Sequence, residues 1–69
     1  MESTYKVVEL VGTSPESWER AAQVALEKAR GSLRDLRIAE VEALDIHLDD
    51  GGGIVAYRTK LKVSFKYED

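Results

Sequence analysis

The sequence predicts an α+β fold of order β-α-β-β, with one helix laid on a three-stranded antiparallel sheet. Three features predict it. Residues 5–11 form a run rich in β-branched side chains. Between residues 18 and 33, apolar residues recur at spacings of three and four. Two period-two runs, 38–48 and 54–67, flank the turn Asp49-Asp50-Gly51-Gly52-Gly53.

In the first strand, Tyr5, Val7 and Val11 alternate with Lys6, Val8 and Leu10. Both faces therefore carry apolar groups, as in a strand covered on both sides. Thr13-Ser14-Pro15-Glu16 reads as a helix start, with Ser14 as cap, Pro15 in the first turn and Glu16 at the positive end of the dipole. Trp18, Ala21, Ala22, Ala25, Ala29 and Leu33 make one stripe, mostly alanine, which lets the helix approach a sheet closely. Gly31 weakens the last turn, and Val24 lies off the stripe, placed to meet another subunit.

In the second strand Ile38, Glu40 and Glu42 oppose Ala39, Val41 and Ala43, after which the apolar set becomes Leu44, Ile46 and Leu48. A one-residue bulge near Ala43 or Leu44 reconciles the two halves, as does a long strand leaving the core for a neighbour. In the third strand Val55, Tyr57, Thr59, Leu61, Val63, Phe65 and Tyr67 share one face, and Arg58, Lys60, Lys62 and Lys66 share the other. Placing this strand between the first two makes every neighbouring pair antiparallel and the crossover right-handed. The helix then covers one face, leaving Val8, Leu10, Ile38 and Ile54 uncovered on the other.

With 69 residues the chain is read as one domain, 1–69, whose core is marginal by itself. It has no cysteine and one histidine, which excludes disulfides, thiolate cages and His-based metal sites. Oligomerisation is the remaining way to stabilise so small a core, and copies of the same chain are expected on the open face. No apolar run reaches the ~20 residues of a membrane span, and no secretory signal is visible, so the expected location is the cytoplasm. The net charge of -3 argues against nucleic acid. The basic stripe on the third strand lacks aromatic residues of the same parity, so a base-stacking platform fails too.

Taken together, several segments resemble the dodecin family. They are the lysine-bearing strand ending Glu9-Leu10-Val11-Gly12-Thr13-Ser14, the amphipathic helix directly after it, the segment Ala39-Glu40-Val41, and the terminal strand with Val63-Ser64-Phe65. The resemblance runs the length of the chain. It implies a hollow homododecamer that binds or stores a small ligand and performs no catalysis. Family members stack flavins between symmetry-related tryptophans, and the stacking position is Ile38 here. The glutamine that reads the flavin edge falls at Arg58. The resemblance thus places a ligand pocket between subunits at Ile38, Arg58 and Glu40, with both flavin-reading residues replaced. Ile has no π-face, and Arg is a donor-only cation where Gln offers donor and acceptor. Ser17-Trp18-Glu19 and Tyr57-Arg58 resemble a subgroup that includes calcium-binding dodecins.

Two outcomes stand open for the altered pocket. It is closed, with Arg58 bonded to Glu40, or it takes an anionic ligand. Flavin is the less expected cofactor. Calcium is an alternative, because symmetry can bring one carboxylate from each of several subunits to an axis; Glu16, Glu19, Glu27, Glu42 and the group Asp45, Asp49 and Asp50 are equally eligible. Asp49 and Asp50 read first as turn residues, and Trp18 first as core, its other reading being a displaced stacking platform. His47 has no nucleophile or paired carboxylate in its pattern, so no catalytic site is predicted.

Overall fold

A computed structural model describes residues 2–67; Met1, Glu68 and Asp69 lie outside the described residues. The elements are β1 (Tyr5–Ser14), α1 (Trp18–Arg30), β2 (Leu36–Leu48) and β3 (Ile54–Lys66). The sheet order is β1-β3-β2 with both pairings antiparallel. The expected β-α-β-β arrangement with the last strand in the centre is therefore observed.

The helix starts later than the sequence suggested. β1 keeps its pairing through Ser14, opposite Tyr57. The residue before a proline favours extended backbone, so Ser14 cannot enter a helix. Its hydroxyl instead accepts from the Glu16 amide at 3.0 Å. Ser17, extended at φ -168°, is the true cap and accepts from the Arg20 amide at 2.9 Å. Glu19 then occupies the first turn and Lys28 and Arg30 the last, as the helix dipole prefers. Gly31 ends the helix, so Leu33 lies beyond it.

The alanine stripe behaves as predicted, with Ala21, Ala25 and Ala29 buried. They sit over Thr59, Leu61 and Val63 of β3, all essentially inaccessible. Gly12 makes this approach possible. A β-carbon there would fall 1.9 Å from the Ala21 carbonyl oxygen, so the helix backbone rests on the bare strand. The face assignment of β1 is corrected. Val8 lies opposite Val63 and Leu10 opposite Leu61, and both pack into the core beneath the helix. Val7 and Val11 are the exposed ones. Apolar residues on both faces made the two parities indistinguishable in sequence.

The bulge in β2 falls between Val41 and Ala43, at Glu42. Before it, Ala39 and Val41 pair with Val63 and Leu61 on the helix side, and Ile38 and Glu40 face away. After it, Leu44 takes the helix side and Asp45 faces away. The hairpin turn is closed by Asp49, whose Oδ1 accepts from the Gly51 and Gly53 amides at 2.9 and 2.8 Å. Gly52 supplies the positive φ, at 85°. The turn reading of Asp49 thus holds.

Helix and hairpin do not match in length. Thirteen helical residues span about 20 Å. Thirteen strand residues span about 43 Å. The helix packs on β1 and β3 and hardly meets β2. Val41, Leu44, Ile46, Leu48 and Val55 consequently stay exposed along an arm that gives the described residues a 53 Å long axis.

Candidate functional site

The side of the sheet away from the helix carries the residues singled out in sequence. Its rungs, read across β1, β3 and β2, are Val7–Ser64–Ile38, Glu9–Lys62–Glu40, Val11–Lys60–Ala43 and Thr13–Arg58–Asp45. The basic stripe is therefore interleaved with acids, as its plainer reading held. Lys62 stands between Glu9 and Glu40 and reaches the bulged Glu42 at 3.6 Å.

Arg58 is not bonded to Glu40. Its partner is Asp45, with Nε donating to Oδ1 at 2.6 Å and Nη2 donating to Oδ2 at 3.0 Å. The reason is the bulge. It reverses the parity of β2, placing Asp45 directly opposite Arg58, while Glu40 lies four residues along β3 opposite Lys62. No count without a shift finds Asp45. Forward from Glu40 opposite Lys62 and outward from Leu48 opposite Ile54 both put Leu44 across from Arg58, because a second register shift lies between His47 and Leu48. The hydrogen bond from Arg58 holds the Asp45 carboxyl below its ordinary value of 3.8, against a smaller opposing effect of burial, with the charges of Arg58 and Lys60 assisting. The same bond and charge raise the Arg58 guanidinium further above its ordinary value.

Asp45 is also held through its backbone. The Trp18 indole N–H donates to the Asp45 carbonyl at 3.0 Å. The ring meets Tyr57 edge-on at 5.1 Å, and the Trp18 carbonyl accepts from the Thr59 hydroxyl at 2.8 Å. Trp18 is therefore half-buried at the helix start, tying helix to hairpin, and within the chain it packs structurally.

Ile38, Arg58 and Glu40 do not converge within one chain. Ile38 pairs with Ser64, six residues along β3 from Arg58, a separation of about 20 Å. Arg58 borders a hollow of about 360 Å³ with Asp45, Ile46, His47 and Leu48. Ile38, 67% exposed, borders a separate groove beside the helix with Leu26, Arg30 and Leu36. A stacked flavin does not fit these residues, since an aliphatic side chain stands at the stacking position and the guanidinium is already engaged. No group of three or more acidic, His or Cys residues able to hold a metal occurs among the described residues. A calcium site would therefore need carboxylates from more than one copy.

No helix among the described residues is long and apolar enough to cross a membrane. Comparison with known proteins places the chain among relatives. The family model for Dodecin matches residues 4–68. The calcium dodecin of Mycobacterium tuberculosis is 52% identical over 64 residues, covering 93% of this chain and 89% of the relative. A dodecin of Thermus thermophilus is 42% identical over 69 residues, covering 100% and 99%. The crystal structure of the M. tuberculosis protein, described as a calcium-chelating antigen with a novel calcium-binding site, superposes with a TM-score of 0.84 at 50% identity, covering 96% of this chain and 93% of that one. The match of one family model to nearly every residue, with two relatives aligned almost end to end, means that the chain belongs to the dodecin family.

Proposed function

We propose that this chain is the subunit of a non-enzymatic homododecameric shell that binds and sequesters a small ligand or ion other than a stacked flavin. The observation that carries this reading is the engaged Arg58. At the position where the family reads a flavin edge, a guanidinium is already bonded twice to Asp45, and the stacking position holds Ile38. Assembly is supported by the uncovered arm and by Val7, Val11 and Ile38, exposed on the far face. Among the described residues five apolar ones are buried, a thin core for a free monomer.

A cation is the favoured cargo. The far face carries Glu9, Glu40, Glu42 and Asp45 against Arg58, Lys60, Lys62 and Lys66, a balanced set, while the chain as a whole has a net charge of -3. Repeating that net negative charge over twelve copies gives an assembly that attracts cations. The relative named for calcium supports the same reading.

Three measurements on freshly purified protein test it. Native mass spectrometry at micromolar concentration is expected to give a dodecamer. The absorbance spectrum is expected to lack a flavin band, and riboflavin fluorescence to stay unquenched on titration. Calcium titration by calorimetry is expected to give saturable binding to the assembled form. A folded monomer at that concentration would overturn the shell. Strong flavin quenching would overturn the ligand assignment and make Trp18 the first residue to examine.

A further inference from the structure

We infer that Asp45 is a specificity-determining residue: by occupying the Arg58 guanidinium it denies the hollow beside β2 and β3 to phosphate- and carboxylate-bearing ligands. A guanidinium offers five N–H donors in a planar fork, and two parallel donations are how it recognises carboxylate or phosphate. Here Asp45 takes both, at 2.6 and 3.0 Å. Both side chains remain about two-fifths exposed, at 41% for Arg58 and 43% for Asp45, so solvent ligands can reach the pair. Access does not exclude an anion; competition does.

The competitor is fixed in place. Asp45 stands opposite Arg58 in the strand register, and its carbonyl is held by the Trp18 indole. A tethered group acts at an effective concentration in the millimolar range or above, so a free anion must exceed that to displace it. The neighbouring charges make Asp45 decisive. Lys60 lies next along the same face, between Val11 and Ala43, and shares a hollow with Glu9 and Glu42. With Asp45 in place the hollow holds one acid against Arg58. Without it, the Arg58 guanidinium lines the hollow with Ile46, His47 and Leu48 and no acid among them. One side chain thus decides whether this surface repels or recruits anions.

The inference rests on the proposed reading of Arg58 as a ligand-pocket residue. Its test measures anion binding by the chain whatever its assembly state, so the two fail separately. Inorganic phosphate is titrated at low salt by calorimetry into the natural protein, Asp45→Asn, and Asp45→Asn combined with Arg58→Gln. Asp45→Asn keeps the side-chain shape and the backbone carbonyl that Trp18 holds. Phosphate affinity is expected to rise about tenfold or more in the single variant, a change of ~1.4 kcal/mol in binding, and to return to the natural level in the double variant. Equal affinity in the natural protein and Asp45→Asn overturns the inference, and so does a gain that survives loss of Arg58. Should Asp45→Asn not fold, the Arg58 Nε–H resonance of the natural protein decides. It is expected to stay in place as phosphate is added to several times the ~1 mM scale of a tethered competitor. A saturable shift below that concentration overturns the claim.

Discussion

The half of the molecule under the helix and the β2–β3 arm are built from similar strands and end in opposite conditions. Under the helix, Leu61 and Val63 are 1% exposed. On the arm, Leu44 and Val41, equally apolar and facing the same side, are 51% and 54% exposed. The difference is first one of lateral position, since Val41 and Leu44 share their rungs with buried Leu61 and Thr59 but stand on β2, which the helix hardly meets. Toward the hairpin turn length adds to it, as a helix rises 1.5 Å per residue and a strand about 3.3 Å. A helix and strand of equal residue count cannot cover one another, and the surplus strand must find cover elsewhere. Stability of the chain and capacity to assemble are thus assigned to different regions, and substitutions should separate them.

The sharpest separation is Leu61→Ala against Leu44→Ala. Removing a fully buried Leu costs about 2–5 kcal/mol, the transfer of the lost groups plus the cavity left behind. In a domain of this size each kcal/mol shifts the melting temperature by about 4–8 °C. Leu61→Ala should therefore lower melting by 10 °C or more, on the order of that conversion, in whatever oligomeric state is measured. Leu44→Ala should leave an isolated chain nearly unchanged and weaken the oligomer, read by size-exclusion chromatography against concentration. Equal melting losses would mean the arm is part of the subunit core.

Gly12→Ala comes next. The added carbon meets helix backbone at 1.9 Å, which no rotamer change relieves. Overpacking costs about 1–3 kcal/mol, and the upper end is expected here because backbone must move. Gly51→Ala, in the turn, meets nothing nearer than the Asp49 carboxylate at 3.6 Å. Chemical denaturation should show a clear midpoint loss for the first and little for the second. A tolerant Gly12 would show that the helix is not seated on β1.

The joint between the two regions is Trp18. Trp18→Phe keeps an aromatic ring against Tyr57 and removes the indole N–H that holds Asp45. A lost hydrogen bond of this kind costs about 1 kcal/mol. Hydrogen exchange in β2 around Asp45 should accelerate, while that of Leu61 and Val63 changes only with global stability. Unchanged protection at Asp45 would mean the joint carries no restraint.

The smallest effect concerns pH. The Asp45 carboxyl is held below its ordinary value, so its contribution is fully present above the unfolded carboxylate pKa of about 3.9 and is lost as pH falls through the lower folded value. The difference in melting between the natural protein and Arg58→Gln should be constant from about pH 5 upward and shrink below about pH 4. A difference that instead changes near neutrality would mean that the Arg58–Asp45 pair is not its source.

The element order, the alanine stripe, the bulge near Ala43 and the parity of the basic stripe were all legible, because each follows from a period or a turn within one segment. The central placement of the last strand followed from the handedness of the crossover. The start of the helix was not, because two serines three residues apart compete for the cap, and pairing of β1 with β3 settles the choice for Ser17. The faces of β1 were not legible either, since Val7, Val8, Leu10 and Val11 give both parities the same character. In the candidate site, the far-face placement of Arg58 and Glu40 was read correctly and their pairing was not.

The sequence by itself determined what each strand and helix would be and which side chains would share a face, for periodicity is a local property of the backbone. Tertiary structure decided which faces meet and which groups pair. Arg58 chose Asp45 over Glu40 because the bulged residue at Glu42 shifts the rungs from Ala43 to His47 by one across from β3. Partner choice depends on register, and register is set by the turn and the bulge acting together over the whole hairpin.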